Sequence, residues 1–218
     1  KIIIANDHVQ LTRIIVKNAK KYNIKTYYLQ NGCITPGFPI LTTNYALVEG
    51  QYSKDIYKNK NVNNTVIKII GMTKTDIENI EINNKKKIKN IGICSTGTMS
   101  YNDIMIIINY LKINYNDLKI ILRPHPSEIF ENKFSDYYND SSILFSNSNK
   151  IHPIKFLQET DAIIAGNSAI LLEAALLNVY PIYYFTKNNI TKYNDDNFDR
   201  YGFIKNNLAH LVEDLDSL

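Results

Sequence analysis

Short apolar runs alternate with amphipathic stretches along the whole chain, the pattern of a parallel sheet covered by helices. The sequence predicts strands over Lys1–Ala5, Lys25–Leu29, Tyr45–Val48 and Val66–Ile70, with helices over Gln10–Lys21 and Tyr52–Lys58. From Asn79 to Asn90 the residues are almost all Asn, Lys, Glu and Ile, which reads as a polar connector. The alternation then restarts. Strands are expected at Asn90–Cys94, Leu118–Leu122, Ile143–Phe145, Ala162–Ala165 and Tyr180–Phe185, and helices at Tyr101–Lys112, Pro153–Glu159 and Ala169–Leu177. Leu208, Leu211, Val212 and Leu215 recur at helical spacing and predict a closing helix over Asn207–Leu218. The expected fold class is therefore α/β with two Rossmann-like units. These are a partial amino-terminal unit over residues 1–80, a linker over 81–89 and a carboxyl-terminal unit over 90–218. A buried-type strand at residue 1 adds the expectation that the chain starts inside a longer protein.

Composition removes several classes of function. The chain has 218 residues and 44% of them are apolar, enough for an ordinary core and unlike a disordered or disulfide-stapled protein. Its net charge of +4 is mild, and apart from Lys85, Lys86, Lys87 and Lys89 the lysines are scattered. A basic stripe interleaved with aromatics is missing, so no nucleic-acid partner is expected. Cys33 and Cys94 sit in different motifs without metal-type spacing, which suits a reducing compartment and implies no structural zinc. Runs such as Ile104–Ile108 and Ala162–Ala165 fall far short of the ~20 residues of a membrane span. No signal peptide opens the sequence, and a cytoplasmic location is expected. The alphabet is skewed toward 35 Ile, 29 Asn and 22 Lys against only 3 Arg, as in translation of an A/T-rich coding sequence. Against that background Arg13, Arg123 and Arg200 are the informative cations.

Parallel sheets bind ligands at the carboxyl ends of their strands, so the polar residues after each strand are the candidates for chemistry. After the first strand come Asn6, Asp7 and His8; after the second, Gln30, Asn31 and Gly32. The imidazole of His8, tuned by a neighbouring carboxylate, has the chemistry of a general base, while Asp7 has the alternative of capping the helix near Gln10. Ser95, Thr96, Gly97, Thr98 and Ser100 make a hydroxyl-rich turn that can cradle phosphate, although it lacks the glycine spacing and lysine of a P-loop. Arg123-Pro124-His125-Pro126 is the most specific string. Its prolines fix the backbone around His125 outside any helix, and Arg123 offers a planar fork for phosphate or carboxylate. Gly166, Asn167 and Ser168 precede a helix whose free amides favour an anion, with simple capping as the alternative. Glu173 lies within reach of a ribose hydroxyl, or is a solvated helix carboxylate. No Gly-x-Ser-x-Gly elbow, HExxH helix or paired-cysteine cluster is present, which argues against serine hydrolases and zinc enzymes.

Taken in order, Ile4-Ala5-Asn6-Asp7-His8, Tyr28-Leu29-Gln30-Asn31-Gly32, Tyr45-Ala46-Leu47-Val48-Glu49-Gly50, Ile70-Gly71-Met72-Thr73-Lys74-Thr75-Asp76, Leu122-Arg123-Pro124-His125-Pro126 and Gly166-Asn167-Ser168 with Glu173-Ala174 resemble bacterial surface-polysaccharide glycosyltransferases of the GT-B fold. The nearest neighbourhood is that of polysialyltransferases and the polyol-phosphate transferases of capsule and teichoic acid synthesis. The resemblance implies a metal-independent enzyme that moves a sugar from a CMP, CDP or UDP donor, its substrate, onto a glycan or lipid-linked acceptor. No cofactor is implied. A CDP-glycerol type transferase and a non-catalytic sugar-nucleotide-binding subunit are the alternatives. The resemblance places His125, Pro126 and Ser168 at the donor phosphates and Asp7 and His8 at the catalytic base; by their own chemistry and position Ser95, Thr96, Gly97, Thr98, Arg123, Asn167 and Glu173 join the donor site, and Gln30, Asn31, Gly32 and Arg13 the cleft. Relatives often carry a histidine after the glutamine where this chain has Asn31. Peripheral association with the inner membrane face or with other polysaccharide-assembly proteins is a further implication.

Overall fold

The computed structural model describes residues 1–60, 64–76, 80, 82, 87–96, 99–138, 140–186 and 198–218. Most of the expected linker, together with Gly97 and Thr98, lies outside them. The chain forms two compact α/β units, Lys1–Glu78 and Asn79–Leu218.

The first unit runs β1 (Ile2–Ile4), α1 (Gln10–Lys21), β2 (Thr26–Leu29), β3 (Tyr45–Val48), α2 (Gln51–Asn59) and β4 (Val66–Ile69). The four strands are parallel in the order β1-β2-β3-β4. Ile4, Tyr28, Ala46 and Ile67 share one row of that sheet. With Val48, Val16 of α1 and Tyr57 of α2 they make the core of the unit. Burial of this apolar row is what selects the register, because a one-residue slip would turn it to the other face.

The second unit continues with β5 (Asn90–Cys94), α3 (Tyr101–Asn114), β6 (Lys119–Arg123), α4 (Pro126–Phe130), β7 (Ile143–Phe145), α5 (Pro153–Gln158), β8 (Ala162–Ala165), α6 (Ile170–Leu176), β9 (Tyr180–Tyr184) and β10 (His210–Val212). Its six parallel strands lie in the order β10-β9-β8-β5-β6-β7. Central strands buried on both faces read as continuous apolar runs, as Ala162–Ala165 does with all four residues buried. Ile104, Ile107, Ile108 and Leu111 give α3 a helical apolar stripe against β5, β6 and β8. Ser100 starts that helix with a capping box: its side chain accepts from the Asp103 amide at 3.1 Å while Asp103 accepts from the Ser100 amide at 2.7 Å.

The expected closing helix is corrected to β10 followed by a 3-10 turn over Leu215–Ser217. Its leucines have helical spacing, yet β9 offers an open edge. His210, Leu211 and Val212 pair with Ile182, Tyr183 and Tyr184, which buries Val212 and outweighs local periodicity. His125 itself stays in extended backbone outside any helix, as expected. The turn around it is the start of a helix, with Pro126 at the first position, where a missing amide proton costs nothing.

Candidate functional site

Strand order locates the crevice of the second unit. From β5 the chain moves through β6 to β7 on one side, then returns to β8, β9 and β10 on the other. The turns after β5 and β8 consequently diverge to opposite sides, and such a reversal is where open α/β sheets bind ligands. Register brings the candidate turns level with one another. Arg123, Cys94, Ala165 and Tyr183 lie in one row across β6, β5, β8 and β9. The residues that follow, Pro124-His125, Ser95-Thr96 and Gly166-Asn167, emerge side by side at spacings of roughly 5 Å per strand.

Arg123 turns inward. Its Nη1 donates to Ser146 Oγ at 3.0 Å, its Nη2 donates to the Ile151 carbonyl at 2.8 Å, and its guanidinium lies 4.9 Å from the centroid of the Phe156 ring. Only 5% of the residue is exposed. Burial pulls its pKa down, while Cys94 and Glu173 pull the other way. The fork thus fastens the loop after β7 to the end of β6, and Arg123 shapes the site from beneath. Glu173 is likewise buried rather than solvated, and its charge acts on both Arg123 and Cys94.

His125 faces outward. Its Nδ1 accepts from the Ser127 amide at 3.3 Å and lies 2.8 Å from Ser127 Oγ. A backbone N–H can only donate, so the neutral ring carries its proton on Nε2, directed away from α4. The backbone N–H of His125 donates to Ser95 Oγ at 2.8 Å. Ser95 in turn donates to Glu128 Oε2. Sequence reasoning passed over Glu128, although a glutamate three residues after a residue that begins a helix is the signature of a capping box. It passed over a second His-Pro start as well. His152 precedes Pro153 with φ and ψ of -63° and 142°, close to the -60° and 147° of His125, and its Nδ1 accepts from the Ile154 amide at 3.3 Å. The repeated dipeptide was the available signal.

The turn after β8 differs in detail from expectation. Helix α6 begins at Ile170 with Ala169 in the cap position and no side-chain cap, and Ser168 Oγ reaches the Ile170 amide only at 3.5 Å. The Tyr183 hydroxyl interacts with Asn167 and accepts from the Asp199 amide at 3.2 Å. The Asp199 carboxylate then accepts from the Ile204 and Lys205 amides, each at 2.9 Å. The turn carrying Arg200 is thereby anchored next to Asn167.

The first unit has its own cluster at the ends of β1, β2 and β3. Asn6 Oδ1 accepts from the His8 and Val9 amides at 3.0 and 3.3 Å, which closes the turn before α1, while the helix itself starts from Val9 without a side-chain cap, so the capping alternative for Asp7 is corrected. Asp7 points inward, 1% exposed, with neither carboxylate oxygen in a hydrogen bond of good geometry. Desolvation raises its pKa; the charges of Arg13 and His8 and the backbone at Thr42 offset part of that rise. The exposed His8 ring rests 4.7 Å from Phe38, and Arg13 Nη2 donates to the Ile40 carbonyl at 2.9 Å, holding the loop between β2 and β3. Gln30 bridges β2 and β3. Its Nε2 donates to the Gly32 carbonyl at 2.8 Å and to Glu49 Oε2 at 3.1 Å, while its Oε1 accepts from the Glu49 amide at 2.9 Å. Asn31 stays exposed, and Gly32 adopts a φ of 104°, which is costly for other residues. Among the described residues no group of three or more His, Cys, Asp or Glu side chains is arranged to hold a metal ion, and no helix is long and apolar enough to cross a membrane.

No protein-family model matches the sequence, and no curated protein matches it either. Solved structures do match in fold. The wall teichoic acid polymerase TagF, as a variant soaked with CDPG, is 17% identical over 81% of this chain and 52% of its own, with a TM-score of 0.52. A Listeria monocytogenes protein described as a UDP-N-acetylglucosamine 2-epimerase is 10% identical over 84% of this chain and 56% of its own, with a TM-score of 0.59. The chain spans about half the length of these proteins. Identities this low speak to fold alone, and the fold they share with this chain is Rossmann-like α/β with parallel sheets, of the GT-B class.

Proposed function

We propose that the chain is part of a glycosyltransferase that moves a sugar from a nucleotide-activated donor, with CMP, CDP or UDP as the leaving nucleotide, to a bacterial surface polysaccharide. The observation that carries this reading is the meeting of the Ser95-Thr96, Pro124-His125 and Gly166-Asn167-Ser168 turns at the strand-order reversal of the second unit. That crevice offers a nucleotide leaving group the Nε2–H of His125, a fixed donor for developing phosphate charge. In the first unit Asp7 or His8 takes the proton of the acceptor hydroxyl as the new glycosidic bond forms. Asp7 is suited by its raised pKa and unpartnered oxygens. A glycan or lipid-linked acceptor, and peripheral placement at the inner membrane face, belong to the same reading.

A second reading transfers a polyol phosphate from the same donor site; the fold shared with a polymerase soaked with CDPG favours it. A third is a sugar-nucleotide-binding subunit without activity of its own. Calorimetric titration of CMP, CDP and UDP into the protein separates these from no function at a donor site. At least one nucleotide is expected to bind in the micromolar to millimolar range, and His125→Ala is expected to weaken it about tenfold. Absence of binding by all three would sink the donor-site reading.

A further inference from the structure

Glu128 carries more connections than a helix cap requires. It is 7% exposed, and its Oε2 accepts from the Ser95 hydroxyl and, at 3.3 Å, from the His125 amide. Its Oε1 pairs with Lys133 Nζ at 2.8 Å, and its carbonyl accepts from the Lys133 amide at 3.1 Å. A five-residue helix gives too little to account for a buried carboxylate as a cap alone. The shorter of these bonds leave the helix: one runs to the turn after β5, the other to a lysine that neutralises the carboxylate. The neutralisation matters because an uncompensated negative charge beside a crevice for phosphate would repel it. The Ser95 hydroxyl proton is committed to Glu128 and a lone pair to the His125 amide, so Ser95 joins two turns and has no proton left for a ligand.

We infer that Glu128 is a positioning residue of this crevice. It locks the Ser95 turn to the His-Pro start of α4 and so holds the His125 imidazole as an outward Nε2–H donor. The functional half of the inference rests on the donor-site reading above; the tautomer half does not. The test measures both on the full chain. Nitrogen-15 NMR of the histidine rings, with the His125 signal assigned by its loss in His125→Gln, is expected to show the proton on Nε2 in the parent protein. Glu128→Ala is expected to mix the two tautomers and weaken the best-binding of CMP, CDP and UDP about tenfold, while Glu128→Gln, which retains an acceptor for the His125 amide, restores the single tautomer and most of the affinity. A folded Glu128→Ala protein with His125 still wholly Nε2-protonated and unchanged affinity overturns the inference. Should Glu128→Ala fail to fold, Ser95→Ala removes one arm of the lock and is read by the same two signals, with an unchanged tautomer and affinity counting against it. If no nucleotide binds the parent protein, the donor reading fails while the tautomer still decides whether Glu128 positions His125.

Discussion

Gly92 lies mid-strand in β5, where a glycine weakens a sheet unless something needs the space. A Cβ there would stand 2.5 Å from Phe156 Cζ and 3.1 Å from Ile163 Cγ2. Phe156 has no exposed surface, and the Arg123 guanidinium covers its ring. The ring cannot retreat without lifting the cation that also holds Ser146 and Ile151. Overpacking of this kind costs about 1–3 kcal/mol, against ~0.4–1 kcal/mol regained from a less flexible unfolded chain. The net expectation for Gly92→Ala is a loss of roughly 1–2 kcal/mol, or a drop of about 2–8 °C in Tm for a protein of this size. Urea and thermal unfolding followed by circular dichroism would measure it. Phe156→Leu, which withdraws the ring, should lower the cost of Gly92→Ala, so the two substitutions should be non-additive by at least ~0.5 kcal/mol. An Ala variant as stable as the parent, or strictly additive energies, would refute the claim that Gly92 makes room for the support of Arg123.

Two further outcomes follow from buried ionisable groups. The folded-state pKa of Asp7 lies above the unfolded one, so the folded protein holds the proton more tightly and the penalty for burying the charge grows as pH rises through that interval. Asp7→Asn is expected to raise the urea midpoint at neutral pH, with the gain vanishing below the ordinary carboxylate range near ~4; a gain that persists unchanged at pH 3 would show that charge is not the cause. Burial pushes the Cys94 thiol up to about 12, whereas Cys33 is only half-buried. Ellman's reagent at pH 8 should titrate one thiol in the native protein and two in urea, and rapid labelling of both in the native state would contradict the packing around Cys94.

Strand and helix positions were legible because apolar runs and amphipathic stretches differ in period, and β3, β5, β7 and β8 have the expected limits. What escaped the sequence depended on partners distant along it. The leucine spacing of residues 208–215 carries no mark of the open β9 edge that makes a strand of His210–Val212. Asp7 reads as a cap until the fold turns it inward and leaves α1 to start from Val9 without a side-chain cap. The rarity of arginine correctly marked Arg123 as a place where geometry matters, but residue type cannot tell a fork aimed at a ligand from one aimed at Ser146 and Ile151. Gly92 was invisible because its reason, the Phe156 ring, lies 64 residues further along the chain.

The groups with the strongest claim on a phosphate by type are the ones most occupied by the protein. Arg123 holds a loop, Ser95 joins two turns, and Lys133 is paired with Glu128. On the proposed donor-site reading, recognition in this crevice is left to a group whose direction the fold fixes, the Nε2–H of His125, set by the Ser127 amide. Fixed dipoles need little reorganisation when charge develops on a leaving group, and they act most strongly where water is excluded. The buried ionic groups serve to hold that donor still. On this logic, substitutions at Arg123 or Glu128 should act on nucleotide affinity through the shape of the crevice, with a weak dependence on salt, whereas loss of a cation that touched phosphate directly would make binding less salt-sensitive. Repeating the nucleotide titrations at low and high ionic strength distinguishes the two: a salt dependence that disappears in Arg123→Ala would assign Arg123 to the ligand and refute its role as a support.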